Sequence, residues 1–131
     1  DHIVSARSVF GSTHRLFTEI LPKWGITTTY VDFDDYEGFE NAIQSKTRIL
    51  YLETPSNPGL DIIDLERIAA ITKKHDLIFA VDNCFATPIL QRPLDFGADV
   101  SIHSATKYID GQGRTLGGII LGSNDLIDNQ C

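Results

Sequence analysis

Leu77-Ile78-Phe79-Ala80-Val81-Asp82-Asn83 and Asp99-Val100-Ser101-Ile102-His103-Ser104-Ala105-Thr106-Lys107 each run largely apolar for several residues and then stop on polar ones. Neither alternates cleanly between apolar and polar side chains, which is the pattern of a strand covered on both faces. Comparable β-branched or apolar runs lie at 3–6, 27–31, 49–52 and 118–121. Between them, Leu16, Phe17, Ile20, Leu21 and Trp24 fall on one helical face. Leu65, Ile68, Ala69 and Thr72 fall on another, followed by Lys73, Lys74 and His75 where cations suit the end of a helix. Phe39, Ala42 and Ile43 indicate a third, shorter helix. Strands alternating with helices of this length imply βαβ crossovers. The fold class read from this pattern is α/β, three layers, with a mostly parallel sheet flanked by helices.

The chain has 131 residues, 42% of them hydrophobic, enough for one packed core and too few for two. Eleven Lys and Arg against eighteen Asp and Glu leave a net charge of −7, which excludes a field that would hold nucleic acid or an anionic membrane. No apolar run approaches the roughly 20 residues of a membrane span, and residues 1–7 do not resemble a signal sequence. The expectation is a soluble, cytoplasmic protein. Cys84 and Cys131 form neither a disulfide framework nor a metal-ligand spacing, so no metal site is expected. Methionine is absent, even at position 1. We therefore expect residues 1–131 to be part of a longer polypeptide.

In open parallel sheets ligands bind beyond the carboxyl ends of the strands. There the sequence places Glu53-Thr54-Pro55-Ser56-Asn57-Pro58 after the third strand, Asp82-Asn83 after the fourth and His103-Ser104-Ala105-Thr106-Lys107 after the fifth. Asn57, Asp82 and Lys107 are separated by two equal steps of about one βα unit each. Singly, each has an ordinary explanation: a solvated lysine, a strand-end aspartate, an Asn-Pro turn. Together they form a chemistry. A lysine in a desolvated pocket has a lowered pKa and forms a Schiff base with an aldehyde, for which pyridoxal phosphate is the common biological partner. A carboxylate such as Asp82 keeps the pyridine nitrogen protonated, so that the ring withdraws electrons. Ser104 and Thr106 supply hydroxyls for the phosphate, and Asn57 an amide for the ring oxygen.

These segments, in this order and spacing and with Tyr108 following the lysine, resemble the Cys/Met-metabolism (trans-sulfuration) family of fold-type I pyridoxal-phosphate enzymes. The resemblance runs along the whole chain. It implies that Lys107 carries the cofactor, that Asp82 pairs with the pyridinium, that Asn57 contacts the ring oxygen, and that Ser104 and Thr106 bind the phosphate; Lys107 and Asp82 are the catalytic residues. Most relatives carry a tyrosine in the first strand-to-helix turn, stacked on the cofactor. Here the segment is Ser8-Val9-Phe10-Gly11-Ser12-Thr13, and Phe10 can stack but cannot exchange a proton. That weakens a lyase reading. Together with residues 108–114, the segment is similar to the O-succinylhomoserine sulfhydrylases of the family, which implies γ-replacement on an O-acylhomoserine with sulfide to form homocysteine. A cystathionine γ-synthase, a cystathionine or methionine γ-lyase, and a non-catalytic fragment or binding module stay open.

The resemblance further implies an amino-acid substrate, a homo-oligomer built as a dimer of dimers, and a much longer chain. In such a chain an upstream segment reaches a neighbour's phosphate site, and a downstream domain binds the substrate carboxylate. Residues 1–131 then represent the partial cofactor-binding large domain, inactive alone. No arginine among Arg7, Arg15, Arg92 and Arg114 is assigned to the carboxylate. The glycine-rich run 110–118 lacks the spacing of a P-loop and reads as a flexible active-site loop. His103, Cys84, Cys131 and Trp24 are read as structural, and Asn83 as loop support.

Overall fold

The computed structural model describes residues 1–130; Cys131 lies outside the described residues. Six strands, β1 (His2–Ala6), β2 (Thr27–Val31), β3 (Thr47–Glu53), β4 (Ile78–Asp82), β5 (Val100–Ser104) and β6 (Gly118–Gly122), form one sheet in the order β2-β1-β3-β4-β5-β6. All neighbours among β1 to β5 are parallel, and β6 is antiparallel to β5. The expected mostly parallel sheet is therefore present, with each strand within a residue or two of its run in the sequence. The buried His2 ring stitches strands together, its Nδ1 bonded to the Thr47 hydroxyl at 2.8 Å and its Nε2 to that of Thr29 at 2.9 Å.

The helices are α1 (Gly11–Arg15), α2 (Tyr36–Asn41), α3 (Leu65–Lys74), α4 (Thr87–Leu90) and α5 (Asn124–Gln130). The larger core lies where Val4, Leu50, Leu52, Phe79 and Val81 of the sheet meet Phe39, Leu65 and Ile68 of α2 and α3. A smaller one joins Ala80 and Val100 to Leu126 of α5. Together these make the three layers. α3 begins on Asp64, whose carboxylate accepts the Arg67 N–H at 3.1 Å, and ends in the basic turn read from the sequence. Replacing Asp64 by Ala removes this cap and should lower stability by about 1 kcal/mol, measured by chemical unfolding. Gly97, at φ +92°, ends a short 3-10 turn ahead of β5, and a Cβ there would stand 2.9 Å from that of Ala69 on α3. Close packing and backbone conformation both require glycine at this point.

One helical expectation is corrected. The face of Leu16, Phe17, Ile20, Leu21 and Trp24 does not cover the sheet as a unit: Phe17 alone is buried, edge-on to Tyr51, and Trp24 is 72% exposed. The backbone explains this. α1 passes into a π turn at Leu16–Ile20 and then a 3-10 turn at Leu21–Trp24, and Pro22 cannot donate to an α-helical ladder. The 3.6-residue period on which the shared face depends is lost within two turns. Trp24 is therefore a surface residue.

Candidate functional site

The parallel register brings the carboxyl ends of β3, β4 and β5 side by side. Glu53 stands opposite Asp82, and Asp82 opposite Ile102, so the polar clusters that follow these strands share one edge of the sheet. After β3 the chain folds on itself: Ser56 Oγ donates to the Asp61 carboxylate at 2.7 Å, and Thr54 Oγ1 accepts the Ile63 N–H at 3.0 Å. Asn57 is carried on this tied loop, half-buried. Among the described residues no hydrogen bond joins its side chain to Asp82, Ser104 or Lys107.

Asp82 is half-buried, and Oδ1 accepts the Cys84 N–H at 3.0 Å. Burial pushes its carboxyl above the usual range, against the opposing pull of the Cys84 amide and thiol, His103 and Tyr51. Cys84 ties β4 to β5 by accepting the Ser104 N–H on its sulfur at 3.0 Å. Burial and the Asp82 charge raise its thiol pKa, so it serves as a structural link and not as a ready nucleophile. The hydroxyls of Ser104 and Thr106 converge at 2.6 Å, and Ser104 Oγ also accepts the Thr106 N–H.

Lys107 does not sit in the desolvated pocket that the sequence pointed to. It is exposed, with its ammonium 5.8 Å from the centre of the Phe85 ring. The turn that carries it runs past the end of the sheet, and its neighbour Tyr108 is 66% exposed. Residues 1–130 supply the lysine without enclosing it.

Glu53, the last residue of β3, has contacts that the sequence motif does not disclose. It is only 3% exposed, and its Oε2 accepts the Phe10 N–H at 2.6 Å, which brings the β1–α1 turn to the Asp82 edge. Its carboxyl is pushed up to about 7, first by burial and then by Asp82, with the Phe10 amide and Lys107 pulling the other way. Folding therefore takes up a proton between the ordinary value of 4.5 and about 7. The stability linked to this group is full below the lower value and is lost as pH rises through the upper one. Glu53→Gln should make the pH dependence of urea unfolding of the full-length apoprotein shallower across that window.

The other residues singled out in the sequence are held by partners of their own. Arg7, Arg15, Arg92 and Arg114 each face a carboxylate of Asp32, Glu19, Asp95 and Asp110 respectively. Residues 105–117 connect the antiparallel pair β5 and β6, with Asp110 accepting from the Arg114 amide and the Thr115 hydroxyl, both at 2.9 Å. His103 is buried and bonded through Nε2 to Ser101 at 3.1 Å. Asn83, fully buried, donates to the Gln91 carbonyl at 2.7 Å, a loop-supporting role.

A family model described as Cys/Met metabolism PLP-dependent enzyme matches residues 1–131. The chain belongs to this family. Within it, the O-succinylhomoserine sulfhydrylase of Pseudomonas aeruginosa is 46% identical over 125 residues, 95% of this chain and 31% of that protein. The cystathionine beta-lyase of Coxiella burnetii is 42% identical over 132 residues, 99% of this chain and 34% of that protein. The solved structure of cystathionine gamma-lyase from Lactobacillus plantarum complexed with L-serine superposes with a TM-score of 0.93 at 41% identity, covering 98% of this chain and 34% of that one. The chain thus spans about a third of the length of the relatives it matches. For a Cys/Met-metabolism chain the donor set at the sheet edge fits pyridoxal phosphate: an amine for the aldehyde, a half-buried carboxylate for a cationic ring nitrogen, and paired hydroxyls for a phosphate. No described helix is long and apolar enough to cross a membrane.

Proposed function

We propose that the whole protein exchanges the γ-acyloxy group of an O-acylhomoserine, O-succinylhomoserine in the first instance, for sulfide, giving homocysteine and succinate. The observation that carries this reading is Phe10, held at the Asp82 edge through Glu53, in a turn where the ring offers no acidic proton. The identity to the Pseudomonas sulfhydrylase supports it. When bound, pyridoxal phosphate supplies an aldehyde for a lysine amine and a ring that accepts electrons from the substrate α-carbon.

The chain's residues then have distinct tasks. Lys107 would hold the cofactor through its amine, and the same amine would take the substrate α-proton and help remove one from the β-carbon, so that the γ-acyloxy group can leave. Asp82 would keep a proton on the ring nitrogen, Ser104 and Thr106 would hold the phosphate, Asn57 the ring oxygen, and Phe10 would offer an aromatic face to the ring. In this reading residues 1–131 are the central part of the cofactor-binding large domain of a cytoplasmic homo-oligomer. The exposure of Lys107 supports inactivity of these residues alone.

With full-length protein and O-succinylhomoserine, homocysteine should form faster with sulfide than cystathionine forms with cysteine, and methionine alone should yield little keto acid. Faster cystathionine formation would establish a γ-synthase instead, and rapid keto-acid release a lyase. That second reading draws support from the superposition on the Lactobacillus cystathionine gamma-lyase.

A further inference from the structure

We propose that Glu53 is a positioning residue, whose carboxyl group fixes the backbone of Phe10 beside Asp82 and so sets where the Phe10 ring meets the cofactor. The inference rests on the cofactor reading given above. Phe10 has φ −53° and ψ 140°, an extended residue directly ahead of the first helical turn of α1, and no side chain of its own caps that turn. Its N–H has no partner inside the helix and must find one outside. Glu53, 43 residues along the chain, provides it at 2.6 Å. The Phe10 carbonyl is held too, accepting the His14 N–H at 2.9 Å. With both main-chain groups engaged, the point from which the ring projects, the Phe10 Cα–Cβ bond, is fixed.

The location makes this more than a loop tie. Glu53 is the last residue of β3 and the register partner of Asp82, so its side chain is buried against a second carboxylate, an unfavourable place for an acid unless it makes a strong bond. A bond from a backbone N–H to a carboxylate is of the short, charge-assisted kind. One side chain thereby links the turn that bears the stacking ring to the strand pair that bears the pyridinium partner. A shift of that turn would move the ring relative to Asp82 without altering either residue.

The test compares Glu53→Asp and Glu53→Gln in the full-length protein. The shorter Asp keeps a charge but loses reach to Phe10; Gln keeps the reach and loses the charge. Apoprotein is titrated with pyridoxal phosphate, and the visible absorbance and circular dichroism of the bound cofactor are recorded, with apoprotein melting as the folding control. Glu53→Asp should weaken cofactor binding about tenfold and reduce the visible dichroism, while Glu53→Gln stays within about threefold of the parent. Parent-like binding by Glu53→Asp, or binding by Glu53→Gln as weak as by Glu53→Asp, would overturn the proposal. A parent protein without any visible band would overturn the cofactor reading itself, and the inference with it.

Discussion

Lys107→Ala in the full-length protein should lose the borohydride-reducible linkage to pyridoxal phosphate, and turnover should fall by about three orders of magnitude or more. The expectation follows from what else this sheet edge holds. Lys23 lies in the 3-10 turn after α1, Lys46 at the opposite end of the sheet just before β3, and Lys73 and Lys74 at the end of α3, where Lys74 is paired with Glu40. None of them is carried on a loop following a carboxyl end of β3, β4 or β5. With Lys107 removed, no second lysine among the described residues stands at this edge to attach the cofactor or to take up the α-proton. Reduction with borohydride followed by peptide mapping, together with single-turnover assays, reads both effects. Retention of a reducible linkage with full turnover would remove Lys107 from the mechanism.

Asp82→Asn is the second large effect: turnover should fall about a hundredfold or more, with weaker retention of the cofactor. An amide has nearly the shape of the carboxylate and still accepts the Cys84 N–H, so the loop should survive. It carries no charge to hold a proton on the ring nitrogen. Glu53 stands next to it but is committed to Phe10, which leaves it poorly placed to substitute. Steady-state kinetics and the cofactor absorbance of the variant check this, and activity within about threefold of the parent would count against the pyridinium role.

The sheet was legible because its strands are short apolar or β-branched runs with little alternation; β1, β4 and β5 are mostly buried, and β3, β4 and β5 end on polar residues. The orientation of β6 was less so. Residues 105–117 show no helical period, and a connection without a helix belongs to an antiparallel pair more readily than to a parallel one. The placement of Asp82, Ser104 and Thr106 at one edge could be read because Asp82 and Ser104 end their strands, Thr106 lies two residues further on, and β3, β4 and β5 are neighbours. The exposure of Lys107 could not be read, since enclosure depends on groups distant in the chain. Glu53 was missed for a related reason: its partner is a backbone amide 43 residues earlier, and a backbone amide leaves no mark in a sequence. The segment 16–24 misled because a hydrophobic pattern assumes an unbroken helix, whereas Pro22 and the π turn change its pitch.

The pairing of Glu53 with Asp82 across β3 and β4 makes the candidate site a matter of parity. Side chains alternate between the two faces of a sheet, so one residue inserted inside β4 would turn Asp82 toward the opposite face. Residues added to the surface loops between strands would leave that alternation untouched, whatever their number. Turns away from the site edge can therefore be lengthened, yet inside β3, β4 and β5 only changes that preserve odd and even keep Glu53 and Asp82 on one face.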